Sequence, residues 1–288
     1  MKSYMSDDGD RIVRALTNDG SFRIITACTT STVRGVIGAQ EVSGSTARHL
    51  ADIVTGAVLV RETMAPNMRV QAIAKGVGGT GSLVADSHPE GNTRGLANPP
   101  SGGEFELGEG ALLQVLRTLP NGELHQGVVS AAEDGGISSA LMSYMQRSEQ
   151  ITTTISVSGL IADGEVSVAG GYCVQVLPEI DQAMLATVIY RLERLDPIDT
   201  MLERTAADPD LVLSAIMGDI EHTKVEETKV QYHCPCSAVS VLGALASLGR
   251  ADIESLLSED KPIEMNCDFC RSNYEVPHAQ LRGLLESS

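Results

Sequence analysis

Tryptophan is absent from the 288 residues, and the other aromatics amount to three phenylalanines and six tyrosines. So few flat side chains leave little for stacking on nucleobases. Basic residues are also short, 21 Lys and Arg against 38 Asp and Glu, which sets the formal net charge at −17. A chain this acidic does not neutralise phosphates and is repelled by anionic lipid, so we expect no nucleic-acid and no membrane partner. Long apolar runs are missing too. The densest, around Ala57-Val58-Leu59-Val60, falls far short of the roughly 20 residues a bilayer requires. The start, Met1-Lys2-Ser3-Tyr4-Met5-Ser6-Asp7-Asp8, carries no apolar signal segment, and the expectation is a soluble, cytoplasmic chain. No Ser, His and acid grouping carries a nucleophile elbow. Paired acids such as Glu226-Glu227 read as a solvated face. No catalytic residue is assigned, and the chain does not read as an enzyme.

Cysteine is scarce as well, but four of the six fall into two close pairs, Cys234-Pro235-Cys236 and Cys267-Asp268-Phe269-Cys270. The 30 residues between Cys236 and Cys267 (237–266) let the chain return so that both pairs converge. Four thiolates at one point suggest zinc, whose closed all-sulfur shell is the structural kind. The C-x-x-C pair has the usual knuckle spacer, and the tighter C-x-C is rarer, which makes the combination more specific than a lone C-x-x-C. Three other readings stand beside zinc. Disulfides are disfavoured in a reducing cytosol. Packing thiols have no reason to come in pairs. A thioredoxin-type pair should open a helix within a βαβ pattern, which Cys267 and Cys270 do not visibly do. His233 adjoins Cys234 and competes as a ligand only if a cysteine drops out. Cys28 and Cys173 are isolated in apolar stretches and read as packing residues.

The length exceeds one average domain and allows a substantial core. Arg11–Thr17 and Phe22–Ala27 flank Asn18-Asp19-Gly20, a hairpin signal. Helical spacing follows at Thr30–Gln40 and Ser45–Met64, the latter closed by Pro66. After a strand-like Val70–Ala74, Gly76, Gly78 and Gly81 match G-x-G-x-x-G, but Ser82 to Asp86 reads as a strand where a dinucleotide site needs a helix. A turn is the better reading, so no nucleotide cofactor is expected. Gly91–Gly103 reads as loop. A second hairpin is expected at Pro120-Asn121-Gly122, then a helix at Ile137–Arg147 and strands at Thr152–Leu160 and Val166–Val176 joined through Ala162-Asp163-Gly164. Hairpins interrupted by helices indicate an α+β fold. Beyond Pro178 come helices at Gln182–Arg194, Ile198–Arg204 and Asp210–Met217, with no strand pattern before Val230. The charged stretch Gly218–Thr228 looks like a connector. A further helix is expected at Val239–Leu248. The resulting division is an α+β core of antiparallel hairpins and packed helices (1–178), a helical and charged connector (179–229), and a four-cysteine zinc domain (230–288). A unit of about 60 residues is small enough to need a metal staple.

With the cysteines placed, the chain resembles the 33-kilodalton heat-shock protein family of bacterial redox-regulated holdases over nearly its whole length. C-x-C, a spacer near thirty and C-x-x-C match Cys234, Cys236, Cys267 and Cys270. Leu116-Arg117-Thr118-Leu119-Pro120, Gln126-Gly127-Val128-Val129, Tyr144 with Ser148-Glu149-Gln150, and Ala169-Gly170-Gly171 before Gln175, Leu177 and Pro178 share the family's look. One departure follows Ser237, where Ala238-Val239-Ser240 stands in place of the charged residues common in the family. The resemblance implies an ATP-independent chaperone of the oxidative stress response that protects unfolding proteins from aggregation. It implies one zinc per chain in the inactive, reduced state, held by those four cysteines. Oxidation would then form Cys234–Cys236 and Cys267–Cys270 disulfides, release zinc, unfold the C-terminal unit with the connector, and favour an active homodimer that holds client proteins. A zinc-stabilised adaptor, or a thiol oxidoreductase without client binding, is the alternative.

Overall fold

A computed structural model of the chain describes residues 9–119, 121–131, 136–178, 180, 182–258 and 262–286. Met1 to Asp8, scanned for a signal segment, and Pro120 of the second hairpin turn lie outside the described residues. The chain divides into two compact units, Met1–His233 and Cys234–Ser288.

The first unit opens with strands β1 (Arg11–Thr17) and β2 (Phe22–Cys28), paired antiparallel. Their turn closes as its residues predict: Gly20 sits at φ +77° and donates to the Thr17 carbonyl at 2.9 Å. Helix α1 (Thr30–Gln40) follows, and the Asp10 carboxylate accepts from the N–H groups of Ser31 and Thr32 at 3.0 and 2.6 Å. A negative group there satisfies first-turn donors and opposes the helix dipole. Helix α2 (Gly44–Glu62) is buried at almost every position from Leu50 onward. A helix apolar all round belongs inside a core, and α2 packs between two sheets, against β2 on one side and the strands that follow on the other.

Strands β3 (Arg69–Lys75), β4 (Ser82–Ser87), β5 (Asn92–Asn98), β6 (Leu112–Thr118) and β7 (Leu124–Ser130) build the second sheet. The glycines between β3 and β4 make the expected turn, with Gly76 donating to the Gly81 carbonyl at 3.2 Å. Strand β5 corrects the loop reading of Gly91–Gly103. Its inward residues are Thr93, Gly95 and Ala97, too small or polar to give the apolar alternation that marks a half-buried strand. Helix α3 (Ile137–Tyr144) ends earlier than Arg147 and widens into a π turn at Met145–Glu149. Strands β8 (Thr153–Ala162) and β9 (Glu165–Val176) form a hairpin in which Asp163 and Gly164 both take positive φ, 52° and 83°. That is the conformation Asp-Gly favours in a two-residue hairpin loop.

Helices α4 (Gln182–Leu192), α5 (Ile198–Thr205) and α6 (Pro209–Met217) come next, and then strands β10 (His222–Lys229) and β11 (Gln231–Tyr232). Strand β10 corrects the expectation of an irregular charged connector. Its side chains are nearly all exposed, yet its backbone pairs antiparallel with β1 along its whole length. The first sheet runs β10-β1-β2-β9-β8, and the second runs β11-β5-β4-β3-β6-β7, antiparallel except for the parallel β11–β5 pair. The fold is α+β with antiparallel sheets, as its hairpin signals indicate.

Successive residues of the first sheet face two cores. Ile12, Ile25 and Ala27 join α2 and the second sheet in the larger core, whereas Val13, Ala15, Phe22, Ile24 and Val174 meet Met201, Leu202, Val212, Leu213 and Ile216 of α5 and α6. Gly170 of β9 permits that helical layer to lie close: a Cβ there would stand 2.5 Å from the Ala27 carbonyl and 3.2 Å from Leu202. The second unit holds α7 (Ala238–Ala246), α8 (Arg250–Leu257), the hairpin β12 (Ile263–Asn266) and β13 (Asn273–Val276), and α9 (His278–Glu286). Its fully buried apolar residues among those described are Leu245, Ile253, Val276 and Leu281, a thin core for a separate unit.

Candidate metal centre

Two short elements bring the paired cysteines to one place. Cys234-Pro235-Cys236 leads into α7, whose start is capped by Ser237: its hydroxyl accepts from Ser240 N–H at 3.1 Å, and Ser240 Oγ accepts from Ser237 N–H at 2.8 Å. Reciprocal capping satisfies two otherwise orphaned donors. The uncharged stretch Ala238-Val239-Ser240 thus supplies its own local contact through Ser240. Cys267 and Cys270 occupy the turn joining β12 to β13. Cys267 N–H donates to the Ser272 carbonyl at 2.9 Å, Arg271 N–H donates to the Cys267 carbonyl at 2.7 Å, and Arg271 takes φ 59°.

All four sulfurs lie within 4.8 Å of one another. Across the pairs, Cys234 Sγ and Cys267 Sγ are 3.7 Å apart, and Cys236 Sγ and Cys270 Sγ 3.2 Å. A tetrahedral shell with metal–sulfur bonds of about 2.3 Å places its sulfurs roughly 3.8 Å apart, so the spacing fits zinc in both donor type and scale. Two hydroxyls border the cluster: Tyr274 OH is 3.0 Å from Cys236 Sγ, and Ser272 Oγ is 3.2 Å from Cys270 Sγ. Burial, reinforced by the neighbouring sulfurs, pushes the Cys236 and Cys267 thiols up. At Cys270 burial acts in the same sense, but the Ser272 hydroxyl and N–H, with Cys236 and Cys267, outweigh it and hold the thiol low. Crowded thiols that resist ionising together are what a divalent cation relieves, since its charge deprotonates the ligands it binds.

The remaining candidates lie elsewhere. Among the described residues the metal-capable cluster comprises the four cysteines without His233, whose N–H donates to the Thr93 carbonyl at 3.1 Å. Cys173 on β9 is sealed in the larger core, where burial drives its thiol up to about 12. Cys28 on β2 is half-buried, with Sγ 3.6 Å from both Asp10 Oδ1 and Thr30 Oγ1, and burial raises its thiol too. Neither has the low pKa of a reactive cysteine. Spacing alone did not single out Tyr274 or Ser272. Their nearness to the second cysteine pair is visible in the chain, but the direction of a hydroxyl is set by the β12–β13 hairpin.

Among the described residues no helix is long and apolar enough to cross a membrane. Residues 10–277 match the family model described as Hsp33 protein. The chain is 28% identical to the 33 kDa chaperonin of Syntrophotalea carbinolica, with 96% of this chain and 99% of that protein aligned. It is 27% identical to the 33 kDa chaperonin of Listeria monocytogenes over 97% of this chain and 99% of the relative. The fold is similar to that of the 33 kDa chaperonin from Thermotoga maritima, with a TM-score of 0.83, 24% identity, and coverage of 97% of this chain and 99% of that one.

Proposed function

We propose that this chain, which belongs to the Hsp33 protein family, is a redox-regulated, ATP-independent chaperone: a holdase kept inactive by zinc bound to Cys234, Cys236, Cys267 and Cys270. Chaperone function follows from the family. The redox control rests on one observation: sulfurs from two pairs separated by residues 237–266 lie within 4.8 Å of one another. Zinc, when bound, supplies a crosslink between the two pairs. A link closing a loop of that span is worth roughly 3.5 kcal/mol on the chain-entropy scale, apart from coordination itself. Disulfides within each pair close only very short loops, so Cys234–Cys236 and Cys267–Cys270 bridges would remove the long-range link. A unit with so thin a core would then unfold.

The chain's own residues suggest what unfolding would release. Strand β10 and residues 230–233 run directly into Cys234, and β10 completes the edge of the first sheet. Behind that sheet, α5 and α6 cover Val13, Ala15, Ile24, Tyr172 and Val174. Loosening this layer would expose contiguous apolar surface, to which an unfolding client can bind. The proposal includes a cytoplasmic location, clients that are unfolding proteins, a homodimer in the activated state, and no nucleic-acid partner. The functional division would follow the same lines: core 1–178 for client binding and dimerisation, 179–229 as its releasable cover, and 230–288 as the switch.

Light scattering from a thermally unfolding client tests the proposal. Peroxide-treated protein should suppress aggregation and reduced, zinc-loaded protein should not. Equal activity in both states would exclude redox control, and inactivity in both would favour an adaptor or thiol oxidoreductase.

A further inference from the structure

A second link joins the two cysteine pairs besides any shared ion. Tyr274 stands on β13 opposite Met265 of β12, so its ring is carried by the hairpin whose turn contains Cys267 and Cys270. Its hydroxyl reaches to 3.0 Å from Sγ of Cys236, a residue of the other pair and 38 positions away. The Ser272–Cys270 contact at 3.2 Å, by contrast, stays inside one turn.

We propose that Tyr274 is a positioning residue of the switch: its O–H donates to the Cys236 thiolate, ties the C-x-C segment to the C-x-x-C hairpin, and slows oxidation of Cys236. The proposal rests on the zinc-thiolate reading above and deepens it by naming a group that protects one of the four sulfurs. Groups that hydrogen-bond to metal ligands orient them and strengthen the site. A sulfur whose lone pair accepts a hydrogen bond is also a poorer nucleophile, because its electron density is partly committed to the donor.

With hydrogen peroxide as oxidant, one thiolate displaces hydroxide and becomes a sulfenic acid, and its partner attacks that sulfur and displaces a second hydroxide. Two thiolates and one peroxide become one disulfide and two hydroxides, with two electrons passing from sulfur to oxygen. In either role Cys236 must give up the Tyr274 bond. The sulfur–sulfur approaches across the pairs involve all four cysteines, and the Ser272 hydroxyl at Cys270 belongs to that cysteine's own turn. Among the described contacts, the Tyr274 hydroxyl at Cys236 is the one carried to a sulfur by the opposite segment.

Tyr274→Phe in the full chain removes the hydroxyl and little else. Chelator competition should show zinc binding weakened about tenfold. In the cobalt(II)-loaded variant the thiolate-to-metal charge-transfer band should move to longer wavelength, since a sulfur relieved of its donor holds its electrons less tightly. Peptide mapping during peroxide treatment should find a shorter lag before the Cys234–Cys236 bridge forms. Incorporation of 3-fluorotyrosine at position 274 keeps the ring and strengthens the donor, and it should move the band and the lag the opposite way. That pair of shifts distinguishes the hydrogen bond from a packing defect if Tyr274→Phe folds poorly. Unchanged affinity, band and lag, or shifts of the same sign in both variants, would overturn the role of Tyr274 while leaving the zinc site standing. Wild-type protein that binds no zinc would instead remove the reading on which the proposal rests.

Discussion

Arg11 Nη1 lies 2.7 Å from Asp210 Oδ2, joining the first strand to the start of α6 across 199 residues of sequence. The same guanidinium reaches Asp208 at 3.0 Å and Glu227 of β10 at 3.3 Å, and Lys224 bridges Asp210 and Glu227 at 3.0 and 2.6 Å. One half-buried cation therefore fastens both the helical layer and the edge strand to β1. Asp208 also caps α6, accepting from Asp210 and Leu211 N–H groups at 2.9 and 3.1 Å.

Arg11→Ala should loosen this corner, because three carboxylates would face each other with only Lys224 between them. The partners are exposed enough for solvent to screen them, so the expected cost is about 1 kcal/mol. Amide exchange at 222–229 should accelerate in the variant, and moderate salt should produce part of the same change in wild type. Unaltered exchange would show that backbone pairing with β1 holds β10 without the ion pairs.

Metal analysis should return one zinc per reduced chain. Structural zinc is worth roughly 10–16 kcal/mol in apparent binding at neutral pH, and Cys267→Ser should lose most of it by removing one of four ligands. Cys28→Ser and Cys173→Ser should retain full stoichiometry, since both sulfurs lie outside the cluster. Full zinc in Cys267→Ser, or loss in either control, contradicts the assignment.

A chain ending at His233 should fold without metal. It retains β10, the buried Val230 and the β11–β5 pairing, all of which belong to the first unit. A cut before Gln231 is less favourable, because Tyr232 packs against the larger core. Circular dichroism and a cooperative thermal transition in the presence of chelator check this, and an unfolded 1–233 chain would refute it.

Asp52 predicts a pH dependence independent of the cysteines. Burial, opposed by a 2.9 Å hydrogen bond from Gly159 N–H, raises its carboxyl from 3.8 to about 7. The folded state thus holds this proton more tightly than the unfolded chain. The resulting stability is fully present below about pH 4 and is lost as pH rises through 7. A three-unit displacement sets a ceiling near 4 kcal/mol, and partial exposure of the side chain reduces the expected effect to about 2 kcal/mol. Asp52→Asn keeps an acceptor for Gly159 without the titration. It should raise the thermal midpoint at pH 8 by about 4–8 °C and bring little gain at pH 4. A difference between the proteins that does not change with pH would rule out Asp52 as the group responsible.

Several features were determined by the sequence alone, because their causes are local. Asn18-Asp19-Gly20 and Ala162-Asp163-Gly164 contain residues that tolerate positive φ, and both became hairpin turns. Helical spacing from Leu50 to Arg61 marked α2, and the spacing of the cysteines marked the four sulfurs that converge. Other features were decided only by tertiary structure, because their causes lie far away in the chain. Strand β10 buries almost no side chain and so has no periodic signature; it is a strand because the edge of β1 offers backbone partners and arginines more than 200 residues upstream. Strand β5 is hidden by small inward residues that suit its contact with α1 and α2. The hydroxyl of Tyr274 meets Cys236 because a hairpin aims it there, and the Asp52 carboxyl departs from its ordinary pKa because α2 is enclosed between sheets. Burial and long-range pairing depend on which distant segments meet, and no local pattern of residue types encodes that.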